Sequence, residues 1–371
     1  MKRFYWALVM FAFGASGIKA NIETPEEKSP KVLSDSIVVT ANRFGLTPQN
    51  SVWPTTLINH QTLKNHSSLQ AVLDGKAGID VRSYNGDGSL STLSNWGLFN
   101  RHMLLLYNGR AVKDYSLGGF NLSEYSIDEI DRIEILKGPQ SAFYGSDAVG
   151  GVVNLITNNS MVDRLELTTK QGSFNLKHYH LNMTKKINQF SLGGYAEFSE
   201  TDNHRNNAGT TRYLLKLQTN YFSSDGRHYV SLSTRYFNDS LGVPGPEPDN
   251  NFIPVYGNEE SYSLYDHQKD ENYSFDFQYR FDDKKIGTAQ VDLFREKKKL
   301  DYNSLYNYQS FYYTFDSTMS PPDSFLNIDS VDVNSRSVYN KRSSGISGRF
   351  LKQWSSLHFA GGVDWLSGSI R

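Results

Sequence analysis

Few side chains in this sequence are spaced for chemistry. His178 and His180 lie two residues apart, so a strand sets both on one face, opposite Tyr179 and Leu181, where two imidazoles could share a metal ion. No Cys or carboxylate stands beside them to complete a ligand set, and the competing reading is a pair of polar residues facing water. Glu200, Asp202 and Asn203 could offer oxygen ligands to Ca2+, or they form a solvated acidic loop, since no full ligand set is visible. Ser141 and Ser146 sit among glycines, yet Gly138-Pro139-Gln140-Ser141 lacks the G-x-S-x-G order of a nucleophile elbow. Gly86 and Gly88 lack the rest of a dinucleotide fingerprint. No catalytic constellation emerges, so the chain reads as a non-enzyme.

The elements that must carry these residues read as strands. Tyr213, Leu215, Leu217, Thr219 and Tyr221 alternate with Leu214, Lys216, Gln218 and Asn220. Val230, Leu232, Thr234 and Tyr236 alternate with Ser231, Ser233 and Arg235, and Tyr273 to Phe281 alternates with Ser274, Asp276, Gln278 and Arg280. A charged or amide side chain at every other position cannot face hydrocarbon, whereas it can face a wet lumen or a filling domain. Weaker alternation recurs at Leu165–Thr169, Tyr179–Met183, Phe190–Phe198, Ala289–Leu293, Ile346–Phe350 and Leu357–Trp365. Short turns such as Asp225-Gly226 and Asp282–Lys285 alternate with long polar segments, Gly242–Glu271 and Asn303–Ser337, as in outer-membrane barrels. A soluble sandwich would also alternate, but its strands are usually shorter, about 5 to 6 residues.

Composition agrees. Aromatics make up 13% of the 371 residues, with 23 Tyr, 22 Phe and no Cys. Mean hydropathy is −0.53, too low for a helical membrane protein and compatible with strands that bury one face in lipid. The formal charge of −1 supplies no basic patch for nucleic acid. Met1–Ala20 has Lys2 and Arg3 ahead of an apolar core and reads as a signal peptide; its removal takes the formal charge from −1 to −4. Asn21–Ser34 mixes Glu, Lys, Pro and Ser and should be a mobile tether. The run Asp35-Ser36-Ile37-Val38-Val39-Thr40-Ala41 is β-branched and short, suited either to adding to a partner's sheet or to starting the folded domain.

From Asn42 to Asn159 the pattern is a small α+β domain. Thr55–Ile58, Ile79–Arg82 and Met103–Tyr107 read as strands; Ser67 should cap a helix bearing Leu69, Val72 and Leu73; Ala111–Ser123 reads as a loop; and Ser126 with Glu129 forms a capping box. Ile133–Leu136 and Val152–Ile156 then flank a segment rich in Gly, Pro and Ser, predicted as a rigid loop that is neither helix nor strand.

That last stretch, Ile130–Thr157, closely resembles the end of the plug domain in TonB-dependent outer-membrane receptors. Gly138, Pro139, Ser141, Tyr144, Gly145, Gly150 and Gly151 fall on the family's G-P-x-S-x-x-Y-G-x-x-A-x-G-G positions. The resemblance implies an α+β plug domain followed by antiparallel transmembrane β-barrel strands. Domains then run 1–20 (signal peptide), 21–41 (flexible periplasmic segment), 42–159 (plug) and 160–371 (N-terminal part of the barrel). Asp35–Ala41 resembles the TonB box, with TonB as its partner, and Asn42-Arg43-Phe44 resembles its continuation in cobalamin receptors. Departures are Asn95-Trp96-Gly97 where "IRG" is usual, Lys76-Ala77-Gly78 without the usual proline, and Tyr107-Asn108-Gly109 in place of "(I/V)DG".

By the same resemblance the outward loops are Tyr84–Thr92 and Lys113–Gly119. Tyr84, Asn85, Asp87, Ser89, Ser91, Lys113, Asp114 and Tyr115 are the candidate ligand contacts, with ordinary solvent loops as the alternative. Glu200, Asp202 and Asn203 remain the Ca2+ candidates, as loops of cobalamin receptors bind that ion. The expected function is import of a scarce ligand across the bacterial outer membrane, cobalamin first and a ferric siderophore or haem second. A passive channel is the alternative without energy coupling. After Asn159 there is room for roughly nine strands of 9 to 11 residues, against 22 in plugged transporters. An unfinished barrel is therefore expected, from a fragment or an interrupted gene.

Overall fold

The structure is a computed structural model that describes residues 54–84, 86, 88–113, 119–157, 162–246, 261–283, 285–316, 323–353 and 358–371. Expectations for the signal peptide, the tether and Asp35–Ala41 lie outside the described residues, as do those for Asn85, Asp87, Asp114 and Tyr115.

Seven strands build the α+β part: β1 (Thr55–Ile58), β2 (Ile79–Ser83), β3 (Ser91–Asn95), β4 (Met103–Tyr107), β5 (Arg110–Val112), β6 (Ile130–Lys137) and β7 (Gly151–Thr157). Five of them form one sheet in the order β1-β6-β7-β4-β5, and β2 pairs with β3 in a second. All pairs are antiparallel except β4 with β7. That parallel pair is central, and both of its strands are buried throughout, which explains their unbroken apolar reading. Helices α1 (His60–Lys64) and α2 (Leu69–Leu73) cover one face, where Leu63, Leu69 and Leu73 join Leu105, Ile133 and Val153 in the main core.

Several local expectations need correction. Ser68, not Ser67, caps α2, its Oγ accepting from Ala71 N at 3.2 Å, because Leu69 must already be helical to reach the core. The Gly-Pro segment contains one helical turn, α3 (Ser141–Tyr144), between Pro139 and Gly145. Ala111 and Val112 belong to β5 rather than to a loop. Asn108 and Gly109 both hold positive φ, 51° and 82°, the backbone that a two-residue hairpin turn requires, and so β5 follows β4 directly. Gly151 holds φ 136°, and a Cβ there would lie 2.6 Å from Leu136 O, so no other residue fits where β6 meets β7.

The remaining strands are β8 (Arg164–Gly172), β9 (Leu176–Ile187), β10 (Phe190–Thr201), β11 (Thr210–Phe222), β12 (His228–Gly242), β13 (His267–Asp283), β14 (Gly287–Asp316), β15 (Asp323–Gln353) and β16 (His358–Ile370). They form one antiparallel sheet in chain order with β8 and β16 at its edges. The expected alternation holds: Leu214, Lys216, Gln218 and Asn220 are buried, while Tyr213 and Leu217 are exposed. Phe190 meets Tyr221 at one end of β10 and Phe198 meets Tyr213 at the other, ring centroids 5.0 and 5.1 Å apart. The two aromatic pairs are separated by about 26 Å of strand, matching the apolar band of an outer-membrane barrel.

The polar segment Asn303–Ser337, expected as a loop, is mostly strand: β14 and β15 are 30 and 31 residues long. Such strands reach up to about 100 Å, well past a hydrocarbon layer of about 30 Å. Polar and aromatic residues share both sets of alternate positions there, Ser310 with Tyr306 and Tyr308, and Asn307 and Gln309 with Phe311 and Tyr313, so no period of two marks a strand in the sequence. Among the described residues no helix is long and apolar enough to cross a membrane.

Candidate functional site

The two parts meet along a polar seam. Its centre is the turn Ser126–Glu129, formed as expected: Glu129 Oε1 accepts from Ser126 N at 3.2 Å, and Ser126 Oγ accepts from Asp128 N at 3.3 Å. The turn and the short helical segment before it bring Glu124, Asp128 and Glu129 to one place. Arg235 of β12 grips Glu129 with two nitrogens, Nη2 to Oε1 at 2.9 Å and Nε to Oε2 at 3.2 Å, and its Nη2 also donates to Glu124 O at 2.5 Å. Its guanidinium lies 5.1 Å from the Tyr125 ring. Lys298 of β14 pairs with Glu124.

Charge reverses on the neighbouring hairpin. Arg110 of β5 lies 2.6 Å from Asp276 of β13 and 3.8 Å from Glu296 of β14, and Glu296 is also 3.3 Å from Lys341 of β15. Lys216 of β11 donates to Thr157 Oγ1 at 2.5 Å. Tyr107 donates to Glu129 Oε2 at 2.9 Å, and burial followed by the Glu129 charge raises its phenol well above the usual range. Most of these groups are buried, so each needs the partner it has. A cavity of about 140 Å³ lies between Leu104, Leu106 and Arg110 on one side and Asp276, Phe294 and Leu366 on the other.

At the β8–β9 end of the sheet, Asp128 faces Lys170, His178 and His180. Lys170 Nζ is 3.0 Å, His178 Nε2 2.9 Å and His180 Nδ1 3.5 Å from Asp128 Oδ2. Burial pushes this carboxyl up, but the contacts with His178 and His180 and the Lys170 ammonium outweigh it and hold it well below the usual carboxylate range. The histidine pair thus has a carboxylate neighbour after all, supplied from fifty residues away in sequence.

The other sequence candidates do not gather in one site. Tyr84 is exposed, whereas Ser89 and Ser91 point inward. Ser91 N donates to Asn121 Oδ1 at 3.0 Å, and Ser89 Oγ to Gly86 O at 2.8 Å. Gly86 and Gly88 press on the β10–β11 loop: a Cβ on them would lie 2.5 Å from Asn203 Oδ1 and 2.4 Å from Thr210 Cγ2. Lys113 pairs with Asp147, and its carbonyl accepts from Lys341. Glu200 is 3.5 Å from Lys177, Asp202 is exposed, and Asn203 Nδ2 donates to Ala208 O at 2.6 Å. Gly138, Pro139, Ser141, Tyr144 and Gly145 shape the connection between β6 and β7, and Gln140 N there donates to Ala148 O at 2.7 Å.

The alternation of β12 and β13 puts Arg235 and Asp276 on the inward face, but nothing in the sequence names their partners. The available signal was the run of three acids at Glu124, Asp128 and Glu129 beside strands with inward cations.

Residues 47–152 match the family model described as the TonB-dependent Receptor Plug Domain. The ferripyoverdine receptor of the outer membrane of Pseudomonas aeruginosa is similar in structure, with TM-score 0.65 at 12% identity, over 90% of this chain and 44% of that one. The siderophore receptor PirA from Acinetobacter baumannii gives 0.61 at 14%, over 85% and 48%. The ferric enterobactin receptor PfeA from Pseudomonas aeruginosa gives 0.61 at 15%, over 90% and 51%. The chain spans about half the length of these solved structures. Its fold is a plug domain followed by the antiparallel strands of a receptor barrel, which do not close on themselves here.

Proposed function

We propose that this chain works as the plug and nine barrel strands of a TonB-dependent receptor, in the bacterial outer membrane, importing a scarce chelate into the periplasm. The observation that carries this reading is the seam. A domain held to the inner face of a sheet by buried ion pairs closes the passage when seated, yet its contacts can be handed to water when it is pulled away. On this reading Met1–Ala20 directs export, 21–41 is the tether, 42–159 the plug and 160–371 barrel. TonB pairs with Asp35–Ala41 as an added strand, and tension along the tether unseats the plug. No catalytic step is needed.

The names of the similar structures favour a ferric siderophore as the ligand class. A second reading, cobalamin, rests on the resemblance of Asp35–Phe44 and of Tyr144–Gly151 to cobalamin receptors. In either case Tyr84 and Lys113, which belong to the loops read as outward, are the first described residues to substitute.

The test is growth of the source strain with and without this gene, on limiting ferric siderophore and on limiting cobalamin. Failure on the siderophore alone supports the first reading, and failure on cobalamin alone supports the second. Equal growth with and without the gene on both would overturn import.

A further inference from the structure

We propose that Asp128, His178 and His180 form a binding site for a divalent transition-metal ion of the zinc class, clipping the plug to strand β9. Two imidazoles and one carboxylate are the borderline donors that such ions select. A tetrahedral ion with donors about 2.0 to 2.2 Å away sets neighbouring donors about 3.3 to 3.6 Å apart. Here Asp128 Oδ2 lies 2.9 Å from His178 Nε2 and 3.5 Å from His180 Nδ1, and one ligand atom from each residue falls within 4.8 Å of the others. Small shifts produce the coordination distances.

An ordinary ion pair explains only half of this arrangement. His178 and Lys170 already satisfy the carboxylate oxygen that they face. His180 has a side chain only 3% exposed, and its Nδ1 points to the same oxygen at a distance too long for a good hydrogen bond, with no other partner. A buried nitrogen left so is costly unless something binds it. Two neighbours hold the cluster in shape. The Tyr195 ring stacks on His180 at 5.8 Å, and its hydroxyl bonds Glu197, the residue opposite His180 across the β9–β10 pair. Lys170 also pairs with Asp128; partly exposed, it can swing into water as a metal enters. Coordination would tie the Ser126–Glu129 turn to the barrel wall by bonds that neither apolar packing nor a single ion pair supplies. This clip does not depend on which chelate is carried.

The experiment uses the full chain without a histidine tag, in detergent, titrated with Co2+ as a spectroscopic probe and then with Zn2+. One equivalent with a four-coordinate visible spectrum is expected. His178→Gln and His180→Gln should each weaken binding by about 100-fold or more, since even outer-shell losses cost 10 to 100-fold. Zn2+ should raise Tm in the parent protein and in Lys170→Gln, which keeps all three donors, but not in the histidine variants. No binding tighter than about 100 µM in the parent would overturn the site. So would an equivalent retained in the double histidine variant, or one lost in Lys170→Gln.

Discussion

Leu105 and Arg235 are both buried, but their surroundings differ in kind. Around Leu105 the plug packs Ile133, Ile135, Val153 and Leu155 into a continuous apolar core, whereas Arg235 meets the plug through Glu129, Tyr125 and a carbonyl oxygen. Apolar burial yields about 25 cal/mol for each Å² taken from water, all of it lost on exposure. Buried ion pairs return most of their Coulomb gain as desolvation cost, and water takes over their hydrogen bonds on separation. On the proposed reading, the core stays closed under load and the seam opens while the plug stays folded.

Leaving one charge of the seam alone should have the largest effect. Arg235→Met strands a buried Glu129, and about 3 to 5 kcal/mol of plug retention should be lost, read as easier proteolysis of the plug in urea at unchanged barrel content. Adding Glu129→Leu should recover part of it, the rest being lost because Ser126 N and the Tyr107 hydroxyl lose their acceptor. If the double variant stayed as weak as the single one, the seam would owe its strength to the pair itself and the contrast with the core would fail.

Leu105→Ala tests the other side. A cavity in the core should cost about 2 to 5 kcal/mol, seen as faster hydrogen exchange in β4, β6 and β7, with little change in plug retention. Faster release at unaltered exchange would mean that the two regions are not separable.

On the far face of the sheet, Leu217 lies midway between the aromatic ends of β11 and is 45% exposed. Leu217→Arg should lower folding stability in lipid vesicles by about 2 to 4 kcal/mol and leave the plug untouched. The smallest effect should come from Ser126→Ala. Loss of the cap should cost about 1 kcal/mol in chemical denaturation, concentrated in the turn that carries Glu129.

How much of this was legible in the sequence follows from how local each signal is. The strand faces of β11 to β13 were readable because one wet face and one apolar face leave a period of two. The capping box at Ser126 and Glu129 was readable because it spans three residues. Helix α1 and strand β3 were missed, being too short to show a period. The ends of β14 and β15 were read as loop, since polar and aromatic residues share both sets of alternate positions there. Asp128 beside His178, and Arg235 beside Glu129, could not be paired at all, since fifty and 106 residues separate the partners and nothing local records the meeting.

On the proposed reading, force on the N-terminal segment opens the seam. This is tested most directly by Val38→Pro, made in the gene in its own strain, with uptake of labelled ferric siderophore and of labelled cobalamin measured alongside binding to whole cells. Proline removes a main-chain donor from Asp35–Ala41, which on the proposed reading pairs with TonB as an added strand. Binding should be retained and uptake abolished for whichever ligand the parent imports; uptake at the parental rate would mean that force on this segment does not open the seam.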